Sequence, residues 1–480
     1  MSVPPSAIVT DLYQLTMAQG YLKSGMERME ACFDLFFRAN PFGGGYTIFA
    51  GLDDALSFLE SMRFPAEDIA YLKSLDLFDG EFLGALAGFR FEGDVFAPPE
   101  GSVVFPNEPV MRIVAPLHQC QIAETALLNI INFQSLIATK ASRVCLAAGR
   151  DNVMEFGLRR AQGVDGGLTA SRAAYIGGCC ATSNVQAGKI YGIPVRGTHA
   201  HSWVTAFDNE LAAFRKFAEI FPDNCVLLVD TYDTLKSGVP NAITVGLEMK
   251  SRGERLGGIR LDSGDLAFLS AESRKMLDAA GLEDVKIVAS NELDEYIIHD
   301  MNAQGARIDI YGVGTRLVTG HGEPAMPGVY KLAAIRPDGG EWTMRLKLSE
   351  TASKSTIPGL KQVWRMKNGG GTLMGDLLEI EGETPDFSRG VWGFHPAIDY
   401  QRKFYERVKS AQPLLAPVMR GGKITGERPS LSQIRARVQS ELSTVHPTTQ
   451  RLLNPHIYKV SLGPALAKAT RELRGAAKYQ

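Results

Sequence analysis

A chain of 480 residues is longer than a single hydrophobic core usually sustains, so two or three domains are expected. Lys and Arg total 51 against 53 acidic residues, a formal net charge of −2; this excludes a one-sign field able to capture nucleic acid or an anionic membrane and leaves small molecules as the expected partners. The six cysteines show no C-x-x-C spacing, and no window of about 18 apolar residues marks a membrane span, so a reduced, cytoplasmic chain with no export signal is the expectation.

Along the chain, "DLYQLTMAQGYL" has helical spacing, "ACFDLFF" reads as a strand, and "NPFGGGYTIFAGL" is a Gly-rich turn entering another apolar run. Short strands broken by Pro and Gly follow in "FEGDVFAPPEGSVVFPNEPVMRIVAP", then one long buried helix in "AETALLNIINFQSLIATKASRVCLAA". From about residue 150 the texture changes to short apolar runs, each ending in small or polar residues: 153–157, 176–181, 193–198, 225–230, 257–262, 285–290, 308–314 and 328–332. Eight runs spaced about 20–35 residues apart match the repeat of a parallel α/β barrel. An open doubly wound sheet is the alternative, weakened by the lack of a G-x-G-x-x-G turn. The remainder is strand-rich ("WTMRLKLSE", "KQVWRMK") and ends in basic helices such as "PALAKATRELRGAAK". The expected domains are 1–148, 149–335 and 336–480, the first mixed α+β, the second the barrel, and the third adding strands to the first plus terminal helices.

In a parallel barrel the active site forms where the strands end. The residues there are Phe156, Gly157 and Arg159; Ser183 and Asn184; Thr198 and His201; Asp230 and Asp233; Arg260, Asp262 and Asp265; Ser290 and Asn291; and Gly312, Gly314 and Thr315. The turn in "YGVGTRL" can aim backbone N–H groups at a phosphate, with a Thr hydroxyl as an added donor, although Gly at a tight turn has a purely structural reading too. "VDTYDT" and "RLDSGD" each carry two carboxylates three apart. Such acids suit Mg²⁺ bound with phosphates, or a sugar carbon gaining positive charge. The outer members, Asp233 and Asp265, equally suit helix capping, which leaves Asp230 and Asp262 as the catalytic candidates. Arg159 and Arg260 either pair with neighbouring aspartates or receive an anionic ligand.

The strings "TDLYQLTMAQGY", "NPFGGGYTIFAGL", "EFGLRRAQGVDGGLTASRAAYIGG", "TSNVQAG", "GTHAHSWV", "GIRLDSGDL" and "GVGTRLVT" with "GVYKL" closely resemble nicotinate phosphoribosyltransferase, in the family's order from residue 10 to about 360. The resemblance implies an irregular, TIM-like α/β barrel joined to a mixed α+β domain built from both ends of the chain. It also implies a homodimer with shared active sites. The implied reaction joins nicotinate to 5-phosphoribosyl 1-pyrophosphate, giving nicotinate mononucleotide and pyrophosphate, coupled to ATP hydrolysis, with Mg²⁺, in NAD salvage. Tyr13, Phe156, Thr198 and Arg260 match nicotinate contacts, to which Arg159 and Asn184 are added as candidates. Thr315 matches the residue holding the phosphoribosyl donor, with Ser290, Asn291, Gly312 and Gly314 expected beside it. His201 matches the histidine that ATP phosphorylates.

The pair His199 and His201 has two other readings. A metal site would need further histidines at later strand ends, and the other six (118, 299, 321, 395, 446, 456) fall on none; a structural pair is the remaining reading. A catalytically dead sensor would be expected to lack Asp262, His201 or Thr315, and all are present. Nicotinate is expected over nicotinamide because no Asp lies between Gly166 and Phe207 to accept amide hydrogens, and Ser183 or Asn184 stands in that place.

Overall fold

The computed structural model describes residues 6–149, 151–349, 355–398 and 400–477. They form a mixed α/β fold of two compact units. A discontinuous unit takes 1–136 and 325–480, and a central unit takes 137–324. The division falls within one continuous helix, Leu117–Ala148, the long buried helix foreseen from its apolar spacing.

In the discontinuous unit a seven-stranded antiparallel sheet runs in the order Thr343–Met344, Gly328–Arg336, Glu30–Phe37, Pro109–Pro116, Asp94–Ala97, Ala416–Arg420, Lys423–Ile424. Glu30–Phe37 is an interior strand, buried along almost its whole length and paired on both sides. The run "GVYKL" was expected as the eighth barrel strand. It instead starts Gly328–Arg336, which pairs antiparallel with Glu30–Phe37, and its Tyr330 stacks on Phe33 with ring centroids 4.8 Å apart. An apolar run does not declare whether its partner is parallel or antiparallel, which is the physical reason for the difference. Of the expected strand "WTMRLKLSE", Thr343–Met344 forms a short strand, and Glu350 lies outside the described residues. A second, six-stranded sheet includes the predicted strand Lys361–Lys367. Of the basic C-terminal helix, Pro464–Ala477 is described and Lys478 lies outside the described residues.

The central unit holds a six-stranded, all-parallel sheet. Its strands are β1 (Val153–Glu155), β2 (Ala181–Thr182), β3 (Val226–Leu228), β4 (Gly258–Leu261), β5 (Lys286–Asn291) and β6 (Ile310–Val313), in the order β2-β1-β6-β5-β4-β3. Val153, Leu227, Ile259, Leu261, Ile287, Ala289 and Val313 are fully buried, as expected for strands covered on both faces. Two of the expected runs are corrected. The helix Gly163–Gly177 consumes the start of 176–181 and leaves only a two-residue strand. The run 193–198 contributes one bridge, Val195 to Thr182; Pro194 offers its carbonyl to the Thr182 N–H but has no N–H of its own to extend a ladder.

Candidate active site

A cavity of about 490 Å³ opens where the strands of the central unit end, and Phe156, Thr198, Arg260, Asp262, Ser290 and Thr315 are among its lining residues. Arg260 on β4 is its hub. Nε donates to Ser290 Oγ at 2.7 Å, Nη1 to Thr198 Oγ1 at 3.0 Å, and Nη2 to Asp262 Oδ1 at 2.7 Å. Three partners from three chain segments fix the plane of the guanidinium, and it lies 5.8 Å from the centroid of the Phe156 ring. Ser290 passes the contact on by donating to the same Asp262 oxygen. Burial pushes the Asp262 carboxyl up, but the Ser290 hydrogen bond and the Arg260 charge outweigh it and hold the group below its ordinary value. Asp262 is therefore ionised at neutral pH.

Asp230, just past β3, ties the loop after β4. Its Oδ2 accepts from the Asp262 N–H at 3.0 Å and from Ser263 Oγ at 2.5 Å, while Oδ1 is buried with no hydrogen-bond partner among the described residues. The two inner carboxylates thus sit together, one paired and one with an open lone-pair site. The outer two do not join them: Asp233 caps the π-helical turn Thr234–Gly238 through Lys236 N, and Asp265 caps Leu266–Ala279 through Phe268 N.

The two histidines divide their roles. His199 Nε2 accepts the Leu228 N–H of β3 at 3.2 Å, and its Nδ1–H donates to the Ala200 carbonyl at 3.3 Å, with the ring edge-on to Phe217. Burial lowers its pKa, so this neutral, doubly committed imidazole is a structural tether. The pair is not arranged as a metal clamp, because the His199 Nε2 lone pair is committed to accepting the Leu228 N–H. His201 opens the short helix His201–Thr205 with its side chain 44% exposed; Nδ1 lies 3.1 Å from Thr231 Oγ1 and Nε2 lies 3.8 Å from Asp262 Oδ2.

At the opposite wall, Phe156 lies against Gly312, where an added Cβ would come within 2.7 Å of its ring carbons. Gly312 is thus required by the aromatic shelf, a reason distinct from the expected backbone turn for phosphate. Thr315 begins the helical turn Thr315–Val318 after Gly314 and donates to Glu292 at 2.9 Å. Asn291 holds φ at 137°, a backbone conformation costly for any residue but glycine. Arg159, with its neighbour Arg160, lies exposed at the cavity on the turn Leu158–Arg160.

Asn184 departs from expectation. It is 1% exposed, its Oδ1 caps Val185–Tyr191 through Ala187 N, and its Nδ2 donates to Gly167 O and Ser171 Oγ. The neighbouring Ser183 lines the cavity instead. Tyr13 belongs to the discontinuous unit, on the helix Leu12–Lys23, where it is half-exposed. Sequence reasoning missed Glu155, Glu292, Arg160 and Ser263. Glu155 is 1% exposed and its carboxylate accepts from the Gly157 N–H, Ser171 Oγ at 2.8 Å and Thr182 Oγ1 at 2.5 Å, fixing the turns that carry Phe156 and Ser183. The available signal was a carboxylate at the buried end of an apolar strand, a costly place unless it is fully bonded.

Among the described residues no helix is long and apolar enough to cross a membrane, and no cluster of three His, Cys, Asp or Glu could hold a metal by protein ligands alone. Residues 8–132 match the model of the nicotinate phosphoribosyltransferase (NAPRTase) N-terminal domain, and 360–470 match that of the nicotinate phosphoribosyltransferase C-terminal domain. A nicotinate phosphoribosyltransferase of Bacillus subtilis is 45% identical over 456 residues, covering 94% of this chain and 92% of the relative. One of Dictyostelium discoideum is 39% identical over 512 aligned positions, covering 95% and 86%. The crystal structure of human nicotinic acid phosphoribosyltransferase superposes with a TM-score of 0.83 at 34% identity, covering 97% of this chain and 99% of that one.

Proposed function

Because the chain belongs to the nicotinate phosphoribosyltransferase family, we propose that it joins nicotinate to 5-phosphoribosyl 1-pyrophosphate, releasing nicotinate mononucleotide and pyrophosphate, with ATP hydrolysis coupled to the turnover, in NAD salvage. The observation that carries this reading is the Arg260 hub facing the Phe156 ring: a flat anion is what a plane-fixed guanidinium and an aromatic face select together. The pyridine nitrogen attacks the anomeric carbon while the bond to pyrophosphate breaks. Phe156 positions the ring, Arg260, with Ser183 and Thr198, holds the carboxylate, and Asp262 faces the positive charge that grows on the ribose. Ser290, Asn291, Gly312, Gly314 and Thr315 form the donor-binding wall, with the cationic Arg159 and Arg160 at the cavity attracting the phosphates.

Mg²⁺ fits this donor set. The unpartnered Asp230 Oδ1 beside the ionised Asp262 supplies oxygen ligands of the kind Mg²⁺ takes together with phosphates and water. When bound, Mg²⁺ supplies charge neutralisation on the pyrophosphate. ATP acts through His201: with Nδ1 engaged at Thr231, Nε2 is the ring nitrogen that accepts the γ-phosphoryl group as ADP leaves, and water later returns the phosphate. We further read the parallel sheet as an irregular barrel, supported by the Val195 bridge beyond β2 and the His199 bond to β3. The working form is read as a cytoplasmic homodimer in which Tyr13 serves the partner's site; six free cysteines suit that compartment.

The test is formation of nicotinate mononucleotide by the purified protein, with nicotinate and nicotinamide in competition, with and without ATP. Preference for nicotinamide would overturn the substrate assignment. The His201→Ala variant should retain slow synthesis and lose both ATP hydrolysis and stimulation by ATP; a full ATP response would remove His201 from that role.

A further inference from the structure

A second cavity, of about 420 Å³, opens in the discontinuous unit. Strand Val391–Phe394 pairs antiparallel with Arg402–Tyr405, placing Gly393 opposite Lys403 and Phe394 opposite Arg402; Phe394 also pairs with Leu462 of the strand Val460–Leu462, which Lys459 immediately precedes. This register puts Lys403 on the same face as Gly393, where it lines the cavity with Lys459, His395 and His456; Arg402 also borders the cavity, but its side chain leaves on the other face, and no carboxylate among the described residues lines it.

Like charges held together raise the energy of the folded state unless something neutralises them. Elsewhere on this protein exposed cations find acids, as Arg215 does with Glu248 and Lys275 with Glu272. Here none of the three is ion-paired among the described residues. Arg402 lies over the Trp392 ring at 4.9 Å, and Lys403 lies over Tyr405 at 4.5 Å while donating to the Met374 carbonyl at 3.3 Å. Burial, and then the Lys459 charge, push the Lys403 ammonium and the His395 imidazole below their ordinary values. His395 Nδ1 accepts the N–H groups of Ala397 and Ile398, both at 3.0 Å, so its proton sits on Nε2 as a further donor. Cations and neutral donors brought to one cavity match an anion of high charge density with several acceptor oxygens.

We propose that this cavity binds a polyphosphate group, inorganic or carried on a nucleotide, as a site distinct from the Arg260 cavity of the central unit. It is tested by calorimetric titration with inorganic tripolyphosphate of the Arg159→Ala, Arg160→Ala protein, in which the catalytic cavity has lost the cations proposed to attract phosphates. That protein should still bind about one tripolyphosphate per chain, and adding Lys403→Gln with Lys459→Gln should weaken binding about 100-fold, about tenfold for each charge-assisted contact. The matched Lys403→Arg, Lys459→Arg protein controls for folding and should bind within a few-fold of its parent. Loss of tripolyphosphate binding on Arg159→Ala with Arg160→Ala alone, or unchanged binding in the Gln pair, would overturn the site. Titration with ATP separates the two sources: tighter binding than tripolyphosphate identifies a nucleotide ligand, and equal or weaker binding an inorganic one.

Discussion

Arg260 donates through all three guanidinium nitrogens, so a carboxylate held there must share or displace Thr198, Ser290 or Asp262. The choice between acid and amide then rests on small groups nearby, and Ser183 is the one in place. Ser183→Asp should weaken nicotinate by like-charge repulsion, about tenfold or more in kcat/KM, while nicotinamide is affected much less. Steady-state rates with both substrates check this, and an equal loss for both would place Ser183 outside the pyridine pocket. Asn184→Asp should behave differently: it keeps the cap on Ala187 N but turns a carboxylate toward the Gly167 carbonyl, lowering stability without a selective change. At His199 the sign of the pH effect is set by its lowered pKa. The unfolded chain takes up a proton as pH falls through the ordinary histidine value near 6.5, whereas the folded imidazole, holding Leu228 N–H, does not. Its contribution is fully present above that pH and is lost below it. Denaturant midpoints from pH 8 to pH 5 should therefore fall less steeply in His199→Asn than in the parent; identical slopes would show that His199 carries none of the dependence.

At the level of elements, β2, β3, β4 and β5 each hand over to a helical segment through a polar cap, and the role of a polar residue at a strand end depends on whether it points along the helix or into the cavity. Asp265 caps its helix, so Asp265→Ala should cost about 1 kcal/mol of stability and leave kcat within about twofold. Asp262→Ala should cost activity by orders of magnitude, and thermal melts run beside turnover assays distinguish the two. The strand ends were legible in the sequence because buried parallel strands read as apolar runs that stop at small polar residues, which located Phe156, Asp230, Arg260, Asp262, Ser290 and Thr315 together. Two things were not legible. Partner choice was hidden, since Gly328–Arg336 and the strands of the parallel sheet are alike in hydropathy yet belong to different sheets. The direction of adjacent side chains was hidden as well: Ser183 and Asn184 differ by one position, and only the turn after β2 shows that Asn184 faces the protein and Ser183 the cavity.

For the whole molecule, the proposed shared site makes a complementation experiment decisive. Tyr13→Ala and Arg260→Ala chains, each nearly inactive alone, should regain activity when mixed under subunit exchange, since a mixed dimer then has one site with both residues intact; no rescue despite demonstrated exchange would confine each site to one chain. The discontinuous unit also depends on buried charge. Arg365 is 4% exposed and bonds to Asp376, Glu108 and Glu441, while burial and the neighbouring Asp376 raise the pKa of Glu108. Arg365→Met should cost about 3–5 kcal/mol by stranding these carboxylates, as read from equilibrium unfolding. The pairing of Glu30–Phe37 with Gly328–Arg336 sets a timetable as well. On a ribosome adding 5–20 residues per second, the intervening residues 137–324 take roughly 10–40 s to appear, and throughout that time the strand Glu30–Phe37 has one edge without its partner. The nascent chain must hold that edge away from other strands for longer than most small domains take to fold, so the rate of synthesis and the supply of chaperones, more than final stability, should set how much of this enzyme a cell recovers.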